Sequence, residues 1–178
     1  MTTRPYDPRE RAAEAARLLN YFLLDFIVGT RGIEIFDHPA IAPNVTHSIA
    51  IGLNRMAVSH LVVTLSKWWE LYRRYAAILP TDVRDVCRTL SEQIEGRGIV
   101  NFRHTVVGHI LDDETKRPLI SQEIDIRLNH AAGDDLAHFV RWIHDPQGNS
   151  FPLTVVAITE HVRDRLCADY SLRDNEIV

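Results

Sequence analysis

The sequence has 178 residues, 46% hydrophobic and 25% charged, a balance that suits one substantial core and excludes a disordered chain or two ordinary domains. A formal net charge of −4 excludes broad coating of nucleic acid, which needs clustered Lys and Arg, but leaves room for a small cationic site. The two cysteines, Cys87 and Cys167, are too few for a disulfide framework; both fall in helical apolar patterns and read as small core residues.

Taken in chain order, the polar start Met1–Arg11 has no apolar core of the kind a secretory leader carries, and a cytoplasmic location is the default expectation. Asp7, Pro8 and Glu10 together predict a helix start: a capping carboxylate, a proline at the first helical position and a glutamate three residues after the cap. Ala12, Ala16, Leu19, Leu23, Phe26 and Ile27 then keep a helical period to about Val28. Gly29 and Gly32 blur the end, and Ile33–Phe36 suit a continuation. Pro39 and Pro43 mark Asp37–Asn44 as a connection.

A second helix is expected from about Thr46 to Leu79, with a kink or break near Gly52–Asn54. Met56, Leu61, Val62, Leu65, Trp68, Trp69, Leu71 and Tyr72 make it apolar on nearly two faces, the mark of a central helix or of one covered by a partner chain. Core packing is the nearer reading of Trp68 and Trp69, ahead of a base-stacking platform. No uninterrupted apolar stretch approaches the roughly 20 residues of a bilayer span, so no membrane partner is expected.

Pro80–Asp82 restarts a helix that ends near Gly96 or Gly98, and Ile99–Leu111 reads as a further short helix. Asp112–Pro118 is a charged loop. Ser121–His130 suits either a strand or a helix, because Glu123, Asp125 and Arg127 alternate with Ile124, Ile126 and Leu128. Asp134–Ile143 predicts a helix, Asp145–Ser150 a turn, and the last helix begins near Phe151–Pro152. The expected architecture is a single all-α domain over 1–178, an antiparallel helical bundle with a short irregular or β segment after the helix at 99–111.

That helix holds the chemistry. With Arg103 at zero on the wheel, Ile99, Val106, Val107 and Ile110 fall within about 60° of it. An arginine in an apolar stripe keeps its charge and needs a carboxylate, a phosphate or several carbonyls. His109 lies about 120° round and about 9 Å further along, so the two converge only over the helix edge or with counterparts from another chain. The structural alternatives pair Arg103 with Glu70, Asp82 or Asp85 and set His109 beside Asp112 and Asp113.

The run Phe102–Asp112, with Arg103, His104 and His109 in that order, resembles the core of HEPN-domain proteins, particularly the bacterial phage abortive-infection group of the Abi type. Those carry an arginine, an adjacent polar residue and a histidine one to two turns later, inside a helix of an antiparallel bundle. Gly108 stands where an alanine is common, and Thr105 departs from a frequent lysine. The resemblance covers about Ile49–Leu128. It implies a homodimer whose motif helices line one cleft, an RNA substrate cleaved without metal by attack of the ribose 2′-hydroxyl, and, in a toxin setting, an antitoxin protein as a further partner. On that basis Arg103 is the phosphate clamp, His109 the general acid or base and His104 its polar supporter. A non-catalytic binding or structural dimer module is the alternative.

Arg73 and Arg74 extend this expectation as an RNA track, and their plainer reading is a solvated face with i,i+4 partners such as Glu70. The pair Arg84 and Arg88 divides the same way. His109 and Asp113, with His104 or His138, are the nearest approach to a metal set. No HExxH or paired ExxH motif occurs, and neither a metal nor another cofactor is expected.

Overall fold

A computed structural model describes residues 7–36, 46–103, 116–117 and 120–177. Eight helices, and no strand, occur among the described residues: α1 (Pro8–Phe36), α2 (His47–Tyr75), α3 (Thr81–Gly96), α4 (Ile99–Phe102), α5 (Ser121–Ala132), α6 (Leu136–Ile143), α7 (Val155–Asp169) and α8 (Asp174–Ile177). The all-α expectation holds. The strand alternative for 121–130 does not, because Leu128, Ala131 and Ala132 bury at i, i+3 and i+4, and Glu123 reaches back to accept from the Ile120 N–H at 3.0 Å.

The α1 start is capped as its sequence predicts: Asp7 Oδ1 accepts from the Arg9 N–H at 3.1 Å, and the Asp7 carbonyl accepts from the Arg11 N–H at 3.0 Å. The helix does not stop near Val28 but runs 29 residues to Phe36, straight through Gly29 and Gly32. Its main neighbour is α2, which runs antiparallel, since Asp25 faces His60 and Thr64 while Gly29 abuts Leu61.

Nor does α2 break at Gly52–Asn54; it is continuous over 29 residues before a single 3₁₀ turn, Ala76–Ile78. By length and composition His47–Ile78 would reach across a bilayer. Its packing is that of a core helix, with Leu61, Val62, Leu65, Trp68, Leu71 and Tyr75 buried against α1, α3, α4 and α5. Trp68 lies in the core, stacked on Tyr72 at 6.2 Å, as its aliphatic neighbours predict.

Between α3 and α4 the chain turns at Gly98, whose φ of +69° belongs to the left-handed region. A side chain there would also press on the His130 ring, 3.2 Å from the built Cβ. Arg97 stays by lying over the Trp142 ring at 4.5 Å and donating to the Ala132 carbonyl at 3.3 Å. Asp135 caps α6 through the His138 N–H, and Thr154 caps α7 through the Ala157 N–H, so the last long helix starts later than Phe151–Pro152 suggests.

The short α8, which periodicity does not announce, is tied to α1 by polar contacts. Arg9 donates to both Glu176 carboxylate oxygens at 2.7 and 2.8 Å, Arg17 to the Glu176 carbonyl and Asn20 to the Ile177 carbonyl. The Arg9 hydrogen bonds, then the Arg173 N–H, hold the Glu176 carboxyl down to about 2 from its ordinary 4.5. A depressed carboxylate contributes stability that is whole above its unfolded value and is lost as pH falls through its folded one. Amide NMR signals of 174–177 should therefore report release of α8 from α1 as pH falls from about 4.5 toward 2. The Glu176→Gln variant should show those signals already shifted at neutral pH and little pH dependence; an unchanged wild-type spectrum down to the lower limit contradicts the assignment.

Candidate functional site

Arg103 follows the last residue of α4 in helical conformation, held there by the buried Ile99 and Phe102. Its half-buried guanidinium crosses to α2, where Nη1 donates to Glu70 Oε1. Of the three carboxylates expected as its structural partner, the fold selects Glu70. Asp82 pairs instead with Arg165 at 3.1 Å and Asp85 with Arg88 at 2.9 Å.

His104 and His109 lie outside the described residues, as do Val106, Val107 and Ile110 of the expected apolar stripe. Of that stripe Ile99 and Arg103 are described: the aliphatic side chain is fully buried, whereas the guanidinium, set mid-stripe by the wheel, is only partly buried and pairs with Glu70.

The geometry around Glu70 adds what the motif alone does not contain. Glu70, Arg73 and Arg74 share one face of α2 at i, i+3 and i+4, so the Arg103 contact sits next to both arginines. Among the described residues no carboxylate pairs with Arg73, whose guanidinium lies 4.7 Å from the Trp69 ring centroid. Arg74 does not take Glu70, as its i,i+4 spacing suggests; it lies 3.8 Å from Glu14 of α1 and 5.5 Å from the Tyr75 ring. Arg11, also on α1, approaches the same ring at 5.4 Å and donates to the Arg74 carbonyl at 2.7 Å. Four guanidiniums thus meet two carboxylates and two aromatic rings, in a chain whose net charge is −4. Burial first, and the Glu14 carboxylate second, push the Tyr75 hydroxyl up to about 12, so it stays a neutral, apolar-faced support at physiological pH.

This arrangement can hold a polyanion. Cation–aromatic stacking keeps Arg73 extended while leaving its N–H edges open to an acceptor, and fixed guanidiniums suit bidentate contact with phosphate oxygens. Arg84 and Arg88 are spent otherwise: Arg84 donates to the Leu79 and Ala77 carbonyls, and Arg88 to Asp85. The Trp69–Arg73 contact is legible as an i,i+4 pair, whereas Arg11 and Glu14 reach the site only through the packing of α1 on α2.

No family model matches the sequence, and no curated protein matches it. A solved structure of similar fold is the integron cassette protein Vpc_cass2, from the mobile metagenome of V. paracholerae, at 16% identity and a TM-score of 0.68 over 87% of this chain and 95% of that one. At that identity the likeness concerns the fold alone: an all-helical arrangement shared over nearly the whole of both chains.

Proposed function

We propose that the chain is a metal-independent endoribonuclease of HEPN type, acting in the cytoplasm as a homodimer in phage defence or as a toxin held by an antitoxin protein. The observation that supports this reading is the position of Arg103: at the end of α4, half-exposed, beside Arg73 and Arg74 on a face where guanidiniums outnumber carboxylates. A phosphodiester on that face would take Arg103 in exchange for Glu70.

In the proposed reaction the ribose 2′-hydroxyl attacks the adjacent phosphorus and the 5′-oxygen leaves, giving a cyclic phosphate and a 5′-hydroxyl. His109, whose reference pKa is about 6.5, takes the 2′-hydroxyl proton or returns one to the leaving oxygen. Arg103 supplies paired donors to the phosphoryl oxygens as charge builds, and His104 supports either group. Arg73 and Arg74 follow the backbone of the bound strand, with no metal or other cofactor in the scheme.

The test is incubation of the pure protein with RNA in a chelator, with fragment ends analysed. Cyclic-phosphate ends, lost in Arg103→Ala and His109→Ala while the circular-dichroism melt is kept, are the expected result; intact RNA under all conditions sinks the enzyme. For the track, replacing Arg73 and Arg74 together by glutamine should lower the slope of log affinity against log salt by about 1 to 2, because each phosphate contact releases a counterion. An unchanged slope removes both residues from the interface.

A second reading, a non-catalytic binding or dimer module, is favoured by one observation, the capture of Arg103 by Glu70. It expects RNA to stay whole and the ion pair to serve only the α2–α4 contact.

A further inference from the structure

We infer that the cleft between α2 and α5 is a binding site for a small aliphatic amine, a ligand with one protonated amino group on a hydrocarbon body. The inference stands apart from the ribonuclease reading. Asn54, on the wall of the cleft, lies about 28 Å from Arg73 along the axis of the same helix.

Two helical stripes make the walls. On α2 the cleft is lined by Ile51, Asn54, Arg55 and Val58, and on α5 by Asp125, Leu128, Asn129 and Ala132. Each set stands at i, i+3, i+4 and i+7, so each is one face of its helix. Val58, Leu128 and Ala132 are buried and make the floor, and Arg55 Nε reaches Asp125 Oδ1 at 3.3 Å from wall to wall. Beyond α5 the chain turns at Gly133, with a φ of +83°, and Asp134 and Leu136 complete the lining. The space is about 560 Å³, within the range of small-molecule sites.

The polar groups on this lining are unspent. Among the described residues neither Asn54 nor Asn129 makes a side-chain hydrogen bond, and Asp134 has neither an ion pair nor a hydrogen bond. Asn54 Oδ1 is moreover buried without a partner, a costly state that folded chains keep rare. The last torsion of asparagine is soft, so a modest rotation turns this oxygen to a donor in the cleft.

Charge and shape select the ligand. Arg55 is neutralised by Asp125, which leaves Asp134 as the one uncompensated charge among the residues that line the cleft, and a carboxylate calls for a cation. The two asparagines add amide oxygens that accept from an ammonium, a compact group with three N–H donors. An organic cation fits better than a metal: among the described residues no three metal-ligating side chains come together, and much of the lining is aliphatic. No aromatic ring is among the lining residues, so a nucleobase would find no stacking partner. The hydrocarbon body lies over Val58, Leu128 and Leu136, with the ammonium at the Asp134 end.

Titration of the full chain with hexylamine, followed by amide NMR signals, tests this. Hexylamine should shift the signals of residues 51–58 and 125–136 saturably, in the millimolar range expected of so small a ligand, and hexanol should bind about 10-fold more weakly. Asp134→Asn, at an exposed position, should weaken hexylamine about 10-fold and leave hexanol unchanged, because it removes the charge and keeps the floor. Asn54→Leu should weaken hexylamine in a protein that melts no lower than wild type, since it removes a buried polar atom without a partner. Shifts that are absent or do not saturate, a preference for hexanol or hexanoate, or an affinity indifferent to both variants overturns the inference. Arg103→Ala should bind hexylamine as wild type does, so a failure of RNA cleavage counts against the enzyme and not against this site.

Discussion

Replacing Gly29 by valine should lower stability by about 2–3 kcal/mol, a fall in melting temperature of about 5–10 °C. A Cβ at this position would stand 2.6 Å from Leu61 Cδ2 and 2.9 Å from its Cγ, well inside van der Waals contact. Leu61 has nowhere to retreat: it is fully buried, with Val58, Val62 and Leu65 of the same helix also in the core. Relief therefore requires α1 and α2 to separate along the largest interface in the fold, loosening Phe26 and Leu65 on either side. Gly32→Ala is the matched control. With open space around its Cβ it should gain about 0.5–1 kcal/mol of helix stability in thermal melts run at high dilution, where association does not contribute. A Gly29 variant that melts with the wild type would show that α1 and α2 do not approach this closely.

That pair of glycines also shows what local pattern conveys and what it does not. Both read as signs of a helix end, because glycine inside a helix is costly. At Gly29 the cost is offset by a close helix crossing made with a residue from α2, and no local window contains Leu61. The unbroken α2 has a similar cause: its buried face, from Val58 through Tyr75, is anchored on four other helices, which overrides the weak propensity of Gly52 and Asn54. Local signals that act locally are legible, among them the Asp7 and Gly98 helix ends. The segment at 121–130 is ambiguous only within its own bounds; Ala131 and Ala132, just beyond, complete a helical stripe with Leu128. For the site, sequence narrows the partner of Arg103 to three carboxylates, and only the packing of α4 beside α2 selects Glu70. Arg11 stands 63 residues from Arg74, so its convergence on Tyr75 has no sequence signature.

The pair Arg103 and Glu70 separates the two functional readings more sharply than either residue alone. Arg103→Ala should lower kcat/KM for RNA cleavage by about 10²–10³, the loss expected when a donor to developing phosphoryl charge is removed. Stability should fall by no more than about 1 kcal/mol, because both side chains remain partly in water and an ion pair of that kind is worth little. Arg103→Lys should rescue only a small part of the rate, since an ammonium keeps the charge but not the planar pair of donors. Glu70→Gln acts in the opposite sense. A phosphate must displace the carboxylate to reach the guanidinium, so its removal should tighten RNA binding several-fold and steepen the salt dependence while cleavage persists. A structural ion pair predicts another pattern: both variants lower the melt alike, the double variant adds nothing further, and RNA is untouched by every protein. The Glu70→Gln effect on RNA affinity is therefore decisive, because removing a competitor of phosphate tightens binding, whereas removing a structural clamp leaves RNA affinity unchanged.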